Sequence, residues 1–337
     1  MLFSSVSVAS VAHVDAPHRV SSRDLEDQLS PLLKRLGIAP GIIASLSGVQ
    51  SRRFWDQGVQ PSDVAAQAGE KALCAAGIDR ERIGVIVSTS VCRDFVEPSV
   101  ASLVHRHLQL SPRCRNFDVG NACLGFLDGM EMVAAMIERG AIDYGLVVDG
   151  EGSRFAVERT VERLNATGDA RALGEEFATL TLGSGAAAMV LARSELVPGG
   201  HPFRGSVALA STDWNHLCRG QTDRMVTDAQ KLLTAGLDLA MQTFELAKSE
   251  LGWSADVLDE VVIHQVSRQH TERLAAQLGV ALTKIHAIYP EHGNVGPASV
   301  PIVLAKAEEL GRLRPGMRVA LLGIGSGLNC SMGEIVW

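Results

Sequence analysis

The chain has 337 residues, with 31 Lys and Arg against 38 Asp and Glu, for a formal net charge of -7. That balance argues against a nucleic-acid grip, which needs clustered positive charge. Apolar residues make up 46% and charged residues 20%, so the chain has the makings of a large core and not of a disordered segment. At ~150 residues per domain the length suggests about two domains, and no run reaches the ~18 apolar residues needed to span a bilayer.

The N-terminus alternates like a strand and carries no Lys or Arg before Arg19, so it lacks the charged start of a signal peptide and the chain reads as cytoplasmic. Periodicity then predicts a helix over 63–76, a buried strand over 85–87 and a strand over 116–119. A helix over 123–139 follows, its apolar stripe formed by Leu127, Met130, Val133 and Ile137, with Gly140 as its stop. Strands are expected over 145–148 and 181–192. The polar stretch 154–176 between them reads as a surface excursion and a possible cap. The second half repeats the grammar: a helix over 228–251, strands over 261–263 and 285–288, a helix over 298–310, and strands over 318–322 and 330–336. Alternation of this kind predicts an α/β fold with mostly parallel sheets covered by helices. The repeat suggests two duplicated halves, 1–200 and 201–337, with the seam near 195–205.

The six cysteines are Cys74, Cys92, Cys114, Cys123, Cys218 and Cys330. No two form a C-x-x-C pair, so neither a zinc site nor a thioredoxin-type motif is indicated, and free thiols are expected in a reducing compartment. Cys123 lies between a strand and an amphipathic helix. A thiol there sits near unsatisfied N–H groups and the positive end of the helix dipole, both of which favour thiolate. It reads equally as an inert buried cysteine. His264 ends the strand VVI, where α/β folds place active sites, and a plain loop hydrogen bond would explain it too. Asn294, in EHGNVGPASVP, reads as a turn residue or as a neutral donor. The glycine-rich run 323–327 reads as a tight turn or as a nest of backbone donors around Ser326. His105 and His107 diverge on a helix and read as a solvated face. Together, Cys, His and Asn suit a thiolate attacking an acyl carbon while fixed donors catch the oxygen charge.

GNACLGF, VIHQVSR, EHGNVGPASV and LLGIGSGLN, in that order and spacing, resemble the thiolase superfamily in its ketoacyl-synthase-III-like branch. The resemblance covers nearly the whole chain. Within that branch the chain looks most like the acyl-CoA-condensing enzymes of bacterial long-chain olefin synthesis. It implies a five-layer αβαβα arrangement, a homodimer, long-chain acyl-CoA substrates, no cofactor or metal, and downstream olefin-pathway enzymes as partners. It implies roles as well: Cys123 holds the first acyl group, and His264 and Asn294 bind the enolate. Glu97, in DFVEPS, is the base sent across the dimer interface, and Ser326 lies in the oxyanion-hole loop. On its residues alone Glu97 reads as an exposed acid at a helix start. The implied reaction is a head-to-head, non-decarboxylative Claisen condensation of two acyl-CoAs to a 2-alkyl-3-oxo acid. Condensation with malonyl-carrier protein, simple thioester hydrolysis and an idle binding partner are the alternatives. The G-I-R-x-R run usual in initiating synthases is replaced here by Gly48-Val49-Gln50-Ser51-Arg52. Arg52 and Arg53 are left for CoA phosphates or for surface ion pairs. Cys330, after the glycine loop, reads as structural.

Overall fold

Strand alternation builds the frame. In the computed structural model, which describes residues 1–337, nine strands join into one mixed sheet. They are β1 (Val6–Asp15), β2 (Val85–Ser88), β3 (Arg115–Asp118), β4 (Tyr144–Glu151), β5 (Gly185–Arg193), β6 (His201–Ala210), β7 (Glu260–Ile263), β8 (Arg318–Gly325) and β9 (Asn329–Val336). Their spatial order is β7-β8-β9-β6-β1-β5-β4-β2-β3. Read outward from the centre, β1-β5-β4-β2-β3 and β6-β9-β8-β7 follow one plan. They meet where β1 and β6 pair antiparallel, Ser7 with Pro202 and Val8 with His201. In each, the outer strands run parallel and the inner ones antiparallel.

Six helices cover this frame: α1 (Pro61–Ala76), α2 (Val100–His107), α3 (Gly125–Glu138), α4 (Ala229–Leu251), α5 (Arg268–Leu278) and α6 (Ser299–Glu309). Because successive side chains leave opposite faces of a strand, each strand feeds two layers. Val85, Val87 and Val147 pack with Val262, Val319 and Leu321 of the other half around α3 and α6. Their neighbours Ile86, Leu146 and Val148 pack outward against Val64, Leu73 and Val104 of α1 and α2. On the far side Val261, Ile263, Ala320 and Leu322 pack against Leu237 and Phe244 of α4 and Leu274 of α5. The result is the expected five-layer αβαβα sandwich, with α3 and α6 at its centre. Helix α3 is stopped as expected, by Gly140 at φ +73°.

Several elements differ from expectation. No strand forms over 285–288. The Gln265 side chain takes the bonds a neighbouring strand would make: its Oε1 accepts from the Ile288 and Tyr289 N–H groups at 2.8 and 3.0 Å, and its Nε2 donates to the His286 carbonyl at 2.6 Å. The second half therefore lacks a counterpart of β3. The strand expected from residue 181 begins only at Gly185, because 181–183 bond across to the Asn294 loop. The excursion over 154–176 is two helices, Arg154–Thr167 and Ala170–Glu176, which share a small core with Leu25, Leu29 and Leu32. Two small two-stranded sheets were not anticipated: His18–Ser21 with Ser51–Phe54, and Cys218–Gly220 with Met225–Thr227. All six cysteines are unpaired. No helix is long and apolar enough to cross a membrane.

Candidate active site

Cys123 sits in a tight turn just before α3. The turn is held by N–H groups of Leu124 and Gly125, which donate to the carbonyls of Asn121 and Ala122 at 3.0 and 3.1 Å. Ala122 is held at φ +45°, a left-handed conformation that costs a non-glycine residue of order 1–3 kcal/mol. The glycine-rich end of β8 lies directly on this turn. A Cβ at Gly323 would fall 2.4 Å from Leu124 Cδ2, and one at Gly325 would fall 3.2 Å from Leu124 Cγ and 3.4 Å from the Leu124 nitrogen. The glycines are therefore there for close approach. Ser326 follows in the turn between β8 and β9, and Asn329 Nδ2 donates to Asn121 Oδ1 at 3.1 Å, tying that turn to the cysteine's.

The Cys123 thiol is not the easy thiolate expected of a helix start. Burial pushes it up to about 12, helped by Cys218 and by the carboxyls of Glu151 and Asp149. The physical reason is position. Cys123 precedes the helix by two residues, and the first free N–H groups are spent on turn carbonyls instead of on sulfur.

His264 follows β7 and is almost wholly buried. Its own N–H donates to the Leu322 carbonyl at 2.8 Å, which fixes it to β8. Its Nδ1 is buried with no partner in the chain. Burial, with a smaller push from His270, drops its pKa to about 3, so at neutral pH the ring is an uncharged imidazole. Asn294 is held from both sides: its N–H donates to Thr181 and its carbonyl accepts from Gly183, at 2.9 and 2.8 Å. Its side-chain Oδ1 accepts from the Gly296 N–H at 2.9 Å, while its Nδ2 donates to no group of the chain. The Gly296 backbone in turn faces the His264 ring.

This clasp depends on Gly183. A Cβ there would fall 1.8 Å from the His292 carbonyl oxygen. Replacing Gly183 with alanine is expected to cost about 3 kcal/mol, since backbone must move. Chemical unfolding measures it, and a variant within about 0.5 kcal/mol of the parent would mean the clasp is looser than drawn.

Sequence reasoning missed two carboxyls at the C-terminal end of β4. Asp149 and Glu151 are two residues apart on the strand face that looks toward the central layer, and both are buried. Asp149 Oδ2 accepts from Thr89 Oγ1 at 2.5 Å, and Glu151 Oε1 accepts from the Val91 N–H at 2.6 Å. Burial pushes both upward from the carboxylate range, and the charge of Glu151 raises Asp149 further. A Cβ at Gly296 would lie 3.5 Å from Glu151 Cδ, so Glu151 touches the loop carrying Asn294. The only signal in the sequence was two acids at strand spacing in an otherwise apolar run.

Cys123, His264, Asn294 and Ser326 are thus joined by short links through Leu124, Gly296 and Glu151. Glu97 is not among them. It lies exposed in the loop before α2, beside Phe95 at 56% and Val96 at 94% exposure. Arg52 fits neither role foreseen for it. It is fully buried, its guanidinium donating to the Leu180 carbonyl at 2.8 Å and to Ser22 Oγ at 3.2 Å, so it braces the fold. Arg53 donates to the Ala16 carbonyl. His105 bonds the Ser111 carbonyl while His107 faces Asp63, so the two do not converge. Cys330 is buried in the sheet, and burial pushes its thiol up to about 12.

Family models of 3-oxoacyl-[acyl-carrier-protein] synthase III match residues 117–206, and of its C-terminal part residues 248–337. An acyl-CoA:acyl-CoA alkyltransferase of Xanthomonas campestris is 53% identical over the full length of both chains, and one of Shewanella oneidensis is 37% identical over the full length of both. A beta-ketoacyl-[acyl-carrier-protein] synthase III of Neisseria meningitidis is 26% identical over 92% of each chain. Crystal structures of Xanthomonas campestris OleA superpose with a TM-score of 0.98. One, with cerulenin bound, is 53% identical and covers 100% of this chain and 98% of that one. Another, a cysteine variant 52% identical over 100% of each chain, holds lauric acid and lauroyl-CoA. With the central Cys, His and Asn on a shared five-layer frame, the chain belongs to the OleA family of thiolase-fold acyltransferases.

Proposed function

We propose that this enzyme condenses two long-chain acyl-CoAs head to head, without decarboxylation, to a 2-alkyl-3-oxo acid. The observation that carries the proposal is full-length 53% identity to an acyl-CoA:acyl-CoA alkyltransferase. The site supports it. Cys123 attacks the first acyl carbon and CoA leaves. Glu97 of a second copy removes an α-proton from the second acyl-CoA, and the enolate oxygen takes hydrogen bonds from neutral His264 and from Asn294 Nδ2. The enolate carbon then attacks the Cys123 thioester, whose oxygen charge meets the backbone around Ser326. Cys123 is released, and water cleaves the remaining thioester to free the second CoA. Each step is acyl transfer or proton transfer, work that side chains can do without a cofactor. The exposed apolar loop around Glu97 supports a homodimer. The setting we propose is the cytoplasm, with olefin-pathway enzymes taking the product.

One fatty acyl-CoA supplied alone should yield the condensed acid with about two CoA released per product, read by mass spectrometry and thiol titration. CoA release with only free fatty acid would establish hydrolysis instead. Strict need for malonyl-carrier protein would establish the initiating-synthase chemistry of the Neisseria relative. Replacing Asn294 with aspartate keeps the acceptor for Gly296 but removes the free donors. Condensation should fall about 10²–10³-fold while Cys123 acylation stays near the parent rate. Parallel loss of both would remove Asn294 from the enolate step.

A further inference from the structure

Glu97, the proposed base, serves the site of a second copy, so its own chain must hold it in place from behind. A general base works only within hydrogen-bond reach of the proton it takes, and a misplacement of about 1 Å costs about 100-fold. Glu97 stands in the exposed loop between β2 and α2, with Phe95 and Val96 beside it. No backbone N–H from Phe95 to Glu97 donates within the chain. The tip of the loop therefore takes its place from its two feet.

Each foot is a pair of hydrogen bonds to a carboxylate, set three residues to either side of Glu97. On the C-terminal side, Asp118 at the end of β3 accepts from the Val100 and Ala101 N–H groups at 3.0 and 2.8 Å, which pins the start of α2. On the N-terminal side, Asp94 reaches to the start of α1. Its Oδ1 accepts from the Ser62 N–H at 3.0 Å, and its Oδ2 accepts from the Ser62 hydroxyl at 2.5 Å. Two bonds to one residue fix direction as well as distance. Ser62 is a fixed post. It is buried, and it follows Pro61, whose carbonyl lies so close to β4 that a Cβ at Gly150 would collide with it. Val64, Ala65 and Ala68 bury the next turns of α1 behind it. Both bonds of Asp94 go to Ser62, and none goes to the turns that carry Cys123, His264 and Asn294.

We propose that Asp94 is a positioning residue for Glu97: its paired bonds to Ser62 lock the loop against α1 and hold the Glu97 carboxylate where the second copy's site receives it. The inference rests on the reading of Glu97 as a base acting across a dimer. Asp94 itself takes and gives no proton. Its effect therefore falls on the other subunit's site, and only on the bond-forming step. A residue that merely supported α1 would weaken its own chain's site, and both steps with it.

Asp94→Ala should leave Cys123 acylation by a long-chain acyl-CoA within about twofold of the parent and slow condensation about 10–100-fold, the first read by intact mass and the second by product formation. Asp94→Asn keeps one oxygen for the Ser62 N–H and offers its amide to the Ser62 hydroxyl, so condensation should return to within about threefold of the parent. Mixing Asp94→Ala with Cys123→Ala subunits separates positioning from support. In a mixed dimer the intact Cys123 is served by a Glu97 whose own Asp94 is intact, so the rate should climb to about a quarter of the parent's. No climb, under conditions where Glu97→Ala and Cys123→Ala subunits do complement, would put the effect of Asp94 in its own chain's site and overturn the proposal. Unchanged condensation, parallel loss of acylation, or an Asn variant as slow as the Ala one would overturn it too. Should Asp94→Ala fail to fold, Ser62→Ala removes only the hydroxyl bond and is read in the same way, with condensation down about 3–10-fold. If Glu97→Ala itself failed to complement after proven exchange, the reading of Glu97 across the dimer would fall, and this inference with it.

Discussion

Cys123→Ala should abolish both the acyl adduct and all condensed product. Incubated with one acyl-CoA, the parent protein gains the acyl mass and the variant stays at its own mass. The loss is expected to be complete within detection, because a methyl group leaves nothing to bond the acyl carbon. Stability should change little, by less than about 1.5 kcal/mol, since the side chain is small. That separation matters. A folded variant with no adduct identifies the nucleophile, whereas an adduct that survives would move it to another of the six cysteines. Cys218 and Cys92 are the competitors beside the site, the first acting on the Cys123 sulfur and the second lying against Glu151.

Glu97→Ala should part the two halves of the reaction. Within one chain Glu97 is exposed and far from being desolvated, so acylation of Cys123 should proceed at close to the parent rate. Carbon–carbon bond formation should fall about 10²–10⁴-fold, the usual worth of a general base. Mixing Glu97→Ala with Cys123→Ala subunits should then restore part of the activity. In a mixed dimer one site combines an intact Cys123 with an intact Glu97 from the other chain. With random exchange half the molecules are mixed dimers, each with one competent site, so recovery should approach a quarter of the parent rate. No recovery after proven exchange would place the base elsewhere. If the two variants instead lost acylation equally, Glu97 would be supporting the fold, and the exposed loop around Phe95 and Val96 would need another explanation.

How much of this was legible in the sequence depended on the range of the physics involved. The α/β class and four of the six layer-forming helices followed from periodicity, because burial on one face imprints a local repeat on the chain. The stop at Gly140 was legible for the same local reason: glycine accepts a positive φ without strain. Cys123 and His264 could be singled out because each sits at the end of a predicted element, and Asn294 because it lies in a glycine-flanked loop between two. The tertiary structure decided what lay between elements. Residues 285–288 carry the composition of a strand, yet Gln265, some twenty positions earlier, takes their hydrogen bonds and no strand forms. Arg52 looked like a surface cation until the Leu180 carbonyl and Ser22 closed around it. The state of the Cys123 thiol was misjudged from its helix-start position, because the burial and the Asp149–Glu151 charge that raise it come from β4 and from the fold around it. By itself the sequence determined the element pattern and which residue types could react, since those depend on neighbours within a turn or a strand. Desolvation, charge proximity and donor direction depend on groups brought together from distant positions, and only the folded chain decided them.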